Sequence, residues 1–281
     1  MHCSHGAGRG VALATRGTEG GARMTARVVE GQLTALVKTF ERPRSLERLV
    51  RSLRQRYPAL RVLVGDDSMR PYPRADVDYV RLPVDVGAAA GRNALLAMVT
   101  TPYFVSLEDD FALTDRSRLD LLLETLQQHD GALAAGDLVE CRRRRPWGVE
   151  RRREVNQGVI RREGDSLRLV RGHCGAVGDA YQCDVTPQFF VARTDAIRAV
   201  GGWFAPLKSE DHEELFLRLK EARLRVLHRP DVTVEHWPER PEVYAAFRAR
   251  DYAPLVARRH GLRQITDMQG RQREFPELTA A

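Results

Sequence analysis

Three adjacent carboxylates, Glu108, Asp109 and Asp110, directly follow an apolar segment at residues 103–107. Like charges at this spacing repel one another, and a bound divalent cation removes that repulsion. Hard oxygen ligands prefer Mg²⁺ or Mn²⁺, and such ions are usually held in part by the phosphates of a substrate. The run therefore predicts a divalent metal site, with an acidic cluster ahead of the next helix as the structural alternative.

A second acidic pair, Asp66 and Asp67, follows the apolar segment at residues 61–65. A carboxylate at the end of a strand can accept a hydrogen bond from a base N–H or a ribose hydroxyl, as acidic residues do in nucleotide-binding folds. Aspartate and the following Ser68 are also common in turns, so a turn without a ligand is the alternative. The pair is a candidate nucleoside site.

Residues 87–93, with the sequence GAAAGRN, open a predicted helix. The small residues, beginning with Gly87, allow a ligand to approach the backbone closely, and the positive end of a helix favours anions. Arg92 lies in the same segment and can pair with a phosphate. The segment is not a Walker loop, because no Gly-Lys-Ser/Thr sequence follows, and it does not match G-x-G-x-x-G.

Glu210 and Asp211 stand at the start of a predicted helix at residues 210–222. A carboxylate on a rigid helix can act as a general base, whereas acidic residues at a helix start also stabilise the helix dipole. His236 ends a predicted strand at residues 232–236, and that position suits a metal ligand. A single histidine is more often a structural or surface residue, so both interpretations stay open.

The first half of the chain alternates helices with strands, the strands being predicted at residues 33–37, 61–65, 78–82, 103–107 and 132–139. Ser45 is expected to cap the first helix. This alternation predicts an α/β fold with a mostly parallel sheet, in which ligands bind beyond the carboxyl ends of the strands. Both acidic runs described above follow strands at that edge.

Three regions are predicted along the chain. Residues 1–31 contain many glycines and no periodicity, which predicts a flexible N-terminal tail, with order beginning at Leu33. Residues 32–240 are expected to form one catalytic domain, in which a turn at 163–165 predicts a hairpin within an arginine-rich insert at 142–171. Residues 241–281 are expected to be a helical extension, beginning with one basic amphipathic helix at 241–260.

The formal net charge of +7 at pH 7 is concentrated in one segment. Residues 142–171 contain eleven arginines and four acidic residues, which accounts for all of it. Such a patch suits an anionic partner (a phosphate, a nucleic acid, an acidic glycan or a membrane surface), with a solvated surface as the alternative. Nucleic acid is not expected, because aromatic residues are not interleaved and Trp147 is nearly alone.

Composition excludes several protein classes. The 281-residue chain is 43% hydrophobic and 30% charged, which allows a large core and excludes wholesale disorder. No apolar run approaches the roughly 20 residues that cross a bilayer, and the N-terminus does not resemble a signal peptide. A cytoplasmic protein is therefore expected. The four cysteines do not suggest a disulfide framework, and no C-x-x-C pair indicates zinc.

Taken in order, these motifs resemble the GT-A class of inverting nucleotide-sugar glycosyltransferases, of the family-2 type. The sequences VKTFERP, VGDDS, GAAAGRN, TTPYFVSLEDDF, FFVARTDAIRAVGG, EDHEELFLRL and DVTVEH are similar to β-1,4-N-acetylgalactosaminyltransferase catalytic domains. The similarity extends from about Leu33 to Trp237. It implies a GT-A fold, a Rossmann-like mixed sheet that is mostly parallel and flanked by helices.

The resemblance also implies a set of donor-binding residues. Asp67, with Thr39 and Arg42 nearby, would hold the nucleoside base, and Arg92 would face the base or the diphosphate. Glu108 or Asp109 would hold the ribose or a metal-bound water. The other expected contacts on the donor side are Asp66 and Gly87.

A D-x-D-type element is implied at Glu108-x-Asp110, where glutamate replaces the first aspartate. Asp110 and His236, with Glu108, would bind Mn²⁺ or Mg²⁺. The catalytic base would be Asp211, possibly with Glu210, and the register among Glu210, Asp211 and Glu213 stays open by one or two residues.

The implied reaction is metal-dependent transfer of a sugar to a hydroxyl acceptor, with inversion at C1. The implied partners are a UDP- or GDP-linked sugar and a sugar or other hydroxyl acceptor, and a homodimer stays open. Trp203 lies where acceptor sugars often stack. The arginine-rich insert matches no part of the family pattern.

Other activities are kept as alternatives. A nucleotide-sugar mutase or hydrolase on the same scaffold would act on the donor without an external acceptor. A nucleotidyltransferase would need a basic pyrophosphate loop near the first strand, for which VKTFERP is poorly suited. The chain contains no Q-x-x-R-W motif, which argues against a processive polysaccharide synthase.

Overall fold

A computed structural model describes residues 26–144 and 146–276. Strands and helices alternate regularly through the first half of the fold. In chain order they are α1 (Ala26–Gln32), β1 (Leu33–Thr39), α2 (Pro43–Arg56), β2 (Arg61–Asp66), β3 (Asp78–Arg81), α3 (Ala88–Ala97), β4 (Tyr103–Glu108), β5 (Phe111–Ala112) and α4 (Leu119–His129).

The second half contains more strands than helices. Its strands are β6 (Leu133–Arg143), β7 (Val149–Glu154), β8 (Gly158–Glu163), β9 (Ser166–Arg171), β10 (Gly175–Val177), β11 (Ala180–Cys183), β12 (Phe190–Arg193), β13 (Val226–His236), β14 (Gln264–Thr266) and β15 (Gln272–Glu274). Its helices are α5 (Thr194–Ala199), α6 (Asp211–Glu221), α7 (Glu242–Arg248) and α8 (Ala253–His260).

The main sheet has the order β10-β11-β13-β6-β12-β4-β1-β2-β3, with β5 paired to β13 and β7 to β6. Neighbouring strands are parallel from β4 through β1 and β2 to β3, and β13 is parallel to β6. Strand β12 runs antiparallel to both of its neighbours. The mixed, mostly parallel sheet expected from the sequence is therefore confirmed.

Helices cover both faces of this sheet, so its central strands are apolar throughout. Every residue of β1 is buried, which is typical of a parallel strand between two helical layers. The apolar sides of α2 and α4 pack on one face, and those of α3 and α6 pack on the other. None of the described helices has the length and apolar character needed to span a membrane.

A second, smaller sheet joins the arginine-rich segment to the C-terminal region. Strands β8 and β9 form the expected hairpin, and β14 pairs in parallel with β9. The complete order of this sheet is β15-β14-β9-β8. The segment after residue 240 therefore contains strands as well as helices, and it is hydrogen-bonded to the arginine-rich hairpin.

Three local expectations were wrong. Regular structure begins before Leu33, because α1 covers Ala26–Gln32 and buries Val29. Residues 1–25 of the expected tail lie outside the described residues. Ser45 is not a cap but lies inside α2, which begins at Pro43, and its hydroxyl donates to Glu239. The single helix expected at 241–260 is two helices, because a proline near the start of α8 cannot lie in a helix interior.

Candidate active site

The carboxyl ends of β1, β4 and β13 meet the start of α6 around a cleft of about 620 Å³. Seven of the residues singled out from the sequence line it: Arg42, Arg92, Glu108, Asp110, Glu210, Asp211 and His236. Parallel strands bring their carboxyl ends to one edge of a sheet, which explains why residues from distant motifs meet. A larger cavity of about 770 Å³, lined by arginines of α2 and the end of β6, contains none of them.

Asp109 points inward from the acidic run and anchors Arg42. Its side chain is fully buried, where it accepts hydrogen bonds from Arg42 and from the Thr39 hydroxyl, the latter at 2.7 Å. Burial raises the pKa of Asp109 to about 6, against the effect of the facing guanidinium. Asp109 does not line the cleft, so the expectation that it contacts the ribose does not fit its position.

Asp110 and His236 lie side by side in the cleft. The distance from Asp110 Oδ2 to His236 Nε2 is 3.5 Å, and Arg42 Nη1 donates to the same carboxylate oxygen at 2.7 Å. Burial alone would raise the pKa of Asp110 and lower the pKa of His236. The contact between the two side chains acts the other way, so the pKa of Asp110 is lowered and the pKa of His236 is raised. His236 Nδ1 is buried without a described hydrogen-bond partner.

This donor set fits a divalent metal ion. It combines a carboxylate oxygen with an imidazole nitrogen at a separation that one ion could bridge, and both side chains line the open cleft. Sequence reasoning missed that Glu140 and Glu154, on neighbouring strands, also place ligand atoms within 4.8 Å of those of His236. Glu154 lies in the arginine-rich insert and Glu140 lies just before it, and no motif distinguished either residue.

Arg92 lines the cleft and pairs with two carboxylates there. Its two terminal nitrogens donate to Asp211 Oδ2 and Glu108 Oε1, and its side chain is nearly fully buried. Burial alone would lower the pKa of this guanidinium, but the two carboxylates raise it. Arg92 therefore joins the end of β4 to the start of α6. The expected contact of Arg92 with a base or diphosphate, and the expected donor or metal contact of Glu108, stay predictions, because both residues line the cleft.

Asp211 and Glu210 have different surroundings although they are adjacent. Asp211 is buried at the first position of α6, beside Arg92. Glu210 is exposed, has a positive φ of 60°, and accepts a hydrogen bond from the Tyr252 amide at 3.4 Å. Of the two, Asp211 is the carboxylate that a buried cation fixes at the cleft.

Asp67 faces a second, smaller cavity and Asp66 does not. Asp67 is bound by Lys38 and accepts from the Gly87 amide at 2.9 Å. Asp66 accepts from the Ser68 and Tyr72 amides and from the Tyr79 hydroxyl, which makes it a turn-stabilising residue. The alternative of a turn without ligand contact therefore describes Asp66.

We call the smaller space the nucleoside cavity, after the ligand predicted from the sequence. It shares Arg42, Arg92, Glu108, Tyr244 and Arg248 with the cleft. The residues that line this cavity alone are Lys38, Thr39, Phe40, Asp67, Asp85, Gly87, Ala88, Lys208 and Phe247. Sequence reasoning missed both lysines, although a signal was present: the chain contains only three, and two of them line this cavity. Burial lowers the pKa of Lys38, with Asp67 acting in the opposite direction. Lys208 pairs with Asp85 at 2.8 Å.

Gly87 and Trp203 serve the protein interior. Gly87 has a φ of 90°, and a Cβ there would lie 2.6 Å from the Lys208 backbone. The close approach expected at Gly87 is thus made by another part of the chain. Trp203 is buried and its ring lies 6.1 Å from Phe104, so its expected stacking on an acceptor sugar does not fit.

Comparison with known proteins gives consistent similarities. The sequence model of glycosyl transferase family 2 matches residues 34–180. Human beta-1,4 N-acetylgalactosaminyltransferase 1 is 34% identical over 239 residues, which are 78% of this chain and 43% of that protein. The chain spans about two fifths of the length of the curated relatives it matches.

Two solved structures share the fold at 12% sequence identity. GalNAc-T7 with UDP, GalNAc and Mn²⁺ matches with a TM-score of 0.58, covering 74% of this chain and 44% of that one. Residues 1–349 of S. aureus TarS, in complex with UDP-GlcNAc, match with the same score and cover 81% and 64%.

Replacing Arg42 with glutamine is expected to lower the free energy of unfolding by about 3 kcal/mol, because Asp109 would be left buried without its cation. Urea unfolding at pH 7 measures the loss. The matched control is Arg51→Gln, which removes an exposed pair with Glu47 and should change stability by less than about 1 kcal/mol. Equal losses for the two variants would contradict the anchoring role of Arg42.

Replacing Gly87 with alanine is expected to reduce stability by about 1–3 kcal/mol, because its backbone conformation is rarely open to other residues and Lys208 blocks the added carbon. Thermal and urea unfolding measure the effect. Gly31→Ala, in α1 and with no atom within 4 Å of the added carbon, is the control and should not destabilise. A Gly87→Ala variant as stable as the parent protein would refute the tight contact.

Proposed function

The chain belongs to glycosyl transferase family 2, and we propose that its cleft transfers a sugar from a nucleoside-diphosphate sugar to a hydroxyl acceptor, with inversion at C1. The GT-A class and fold indicated by the motifs are confirmed by the family match and the solved neighbours. The observation that carries the proposal is that Asp110, His236 and Asp211 line one cleft. This arrangement supports a donor site next to a general base.

The donor would lie across the two cavities, with its nucleoside near Asp67 and its sugar in the cleft. Both cavities are lined by Arg42, Arg92 and Glu108, so they meet where the diphosphate of such a donor belongs. A uridine nucleotide is favoured, because GalNAc-T7 contains UDP and TarS contains UDP-GlcNAc. N-acetylgalactosamine is the proposed sugar, because human and rodent relatives are named for its transfer.

Asp110 and His236 would hold Mn²⁺ or Mg²⁺. A bound ion supplies positive charge that stabilises the diphosphate as it leaves. The protein keeps these two ligands in place through Arg42, which donates to Asp110, and through the strand pairing of Phe111 with His236. The Mn²⁺ bound to GalNAc-T7 supports this assignment.

Asp211 is the proposed general base. Arg92 binds its Oδ2 atom, and no described residue hydrogen-bonds to Oδ1, so Oδ1 can accept the proton of the acceptor hydroxyl. The acceptor oxygen forms its bond to C1 on the face opposite the breaking bond to the diphosphate. One displacement of this kind inverts the configuration at C1.

Replacing Asp211 with asparagine is expected to reduce transfer by about 10²–10⁴-fold, because the side chain keeps its size but cannot accept a proton. Release of UDP from UDP-GalNAc with Mn²⁺ and a panel of simple glycosides measures the rate. A reaction without glycoside separates transfer from action on the donor alone. Asp195→Asn, an exposed aspartate in the first turn of α5, is the control and should keep full activity. Normal turnover by Asp211→Asn would refute the assignment.

Replacing His236 with alanine is expected to remove the dependence of UDP binding on Mn²⁺, since only one of the two adjacent ligands remains. Calorimetric titration with UDP, with Mn²⁺ or with EDTA, measures the difference in affinity. His129→Ala, at the end of α4 and away from the cleft, should retain the metal effect. A metal effect of the same size in both variants would rule out His236 as a ligand.

A further inference from the structure

The nucleoside cavity is far too small for a nucleoside in this state. Its volume is about 50 Å³, whereas small-molecule sites usually enclose about 300–1,000 Å³. Part of its wall comes from α7, through Tyr244, Phe247 and Arg248. The Phe247 ring lies 5.0 Å from the ring of Phe40, which directly follows β1. An aromatic side chain of α7 thus takes up space on the nucleoside side of the site.

Helix α7 has few attachments that would hold it there. It contains seven residues, and none of them is buried. Its contacts are Phe247 with Phe40 and Tyr244 with the guanidinium of Arg42 at 4.2 Å. Just after the helix, Arg250 contacts the Phe247 ring at 5.3 Å and pairs with Asp85 at 2.8 Å. Non-helical segments flank it on both sides. Elements with little buried apolar contact open locally at low free energy, so α7 can move without unfolding the domain.

Arg248 differs from the other guanidiniums shared by the two cavities. Arg42 and Arg92 each pair with two carboxylates. Arg248 lines both cavities, and its recorded contact is with the Tyr244 ring at 5.5 Å; no described carboxylate pairs with it. Its charge is therefore available at the junction where a diphosphate would lie.

We propose that α7 is a hinged part of the donor site, in which Phe247 blocks the nucleoside cavity until a donor displaces it and Arg248 then binds the diphosphate. This inference rests on the proposed function, because it assumes a nucleoside-diphosphate donor. Displacement of Phe247 uncovers Phe40, which can then stack on the base. Binding of the base and opening of α7 are thereby coupled.

The test for Phe247 is its replacement by alanine. If only a fraction of the molecules have an open cavity, the apparent affinity for uridine is reduced by that fraction. Phe247→Ala removes the block and is therefore expected to bind uridine at least threefold more tightly than the parent protein. Calorimetry measures the affinities, and thermal unfolding checks that the variants are folded. Val243→Ala, an exposed position of the same helix, is the control. Unchanged or weaker uridine binding by a folded Phe247→Ala variant would overturn the blocking role.

The test for Arg248 compares two ligands. Arg248→Gln is expected to weaken UDP binding at least tenfold and to leave uridine binding unchanged, because only UDP carries the diphosphate. Arg258→Gln, on the neighbouring helix α8, is the control and should bind both as the parent does. Equal effects on UDP and uridine would overturn the assignment. If the parent protein binds neither ligand, the proposed function itself fails; if it binds both and the variants match it, only this inference fails.

Discussion

Two buried guanidiniums allow four carboxylates to converge on one edge of the sheet. Arg42 holds Asp109 and Asp110, and Arg92 holds Glu108 and Asp211. Buried like charges would otherwise repel one another and be strongly destabilising, so the site depends on these pairs. These pairs join segments that are far apart in the chain. Arg42 links the segment after β1 to the turn after β4, and Arg92 links the end of β4 to the start of α6.

The same pairing divides the adjacent acids into different roles. Asp109, in the turn that follows β4, is fully buried, whereas Glu108 and Asp110 line the cleft. Asp109 stabilises Arg42, and Arg42 in turn supports Asp110. A cleft residue is therefore oriented by a neighbour that does not itself reach the cleft. Support of this kind is common for metal ligands, whose orientation depends on the residues bound to them.

The C-terminal region is part of the site and not an appendage. The chain after β13 passes over the nucleoside cavity as α7, continues through α8, and then joins the arginine-rich hairpin in the small sheet. Leu262, which follows α8, is buried in the same apolar cluster as residues of α3 and α6. The arginine-rich segment, which matched no part of the family pattern, thus contributes β8 and β9 to this sheet, and the C-terminal region pairs with β9.

The sequence by itself determined the alternation of strands and helices, the family, and the positions of Asp110, Asp211 and His236 at strand or helix ends. Those features depend on local periodicity and on the rule that parallel strands end at one edge. Only the tertiary structure decided what each polar group contacts. Arg92 meets Asp211 across 119 residues of sequence, and Arg42 meets Asp109 across 67. The contact of Phe40 with Phe247, on which the proposed block by α7 depends, also joins distant parts of the chain. A local pattern identifies a charged residue, but its partner is selected by packing, which brings together parts of the chain that share no local signal.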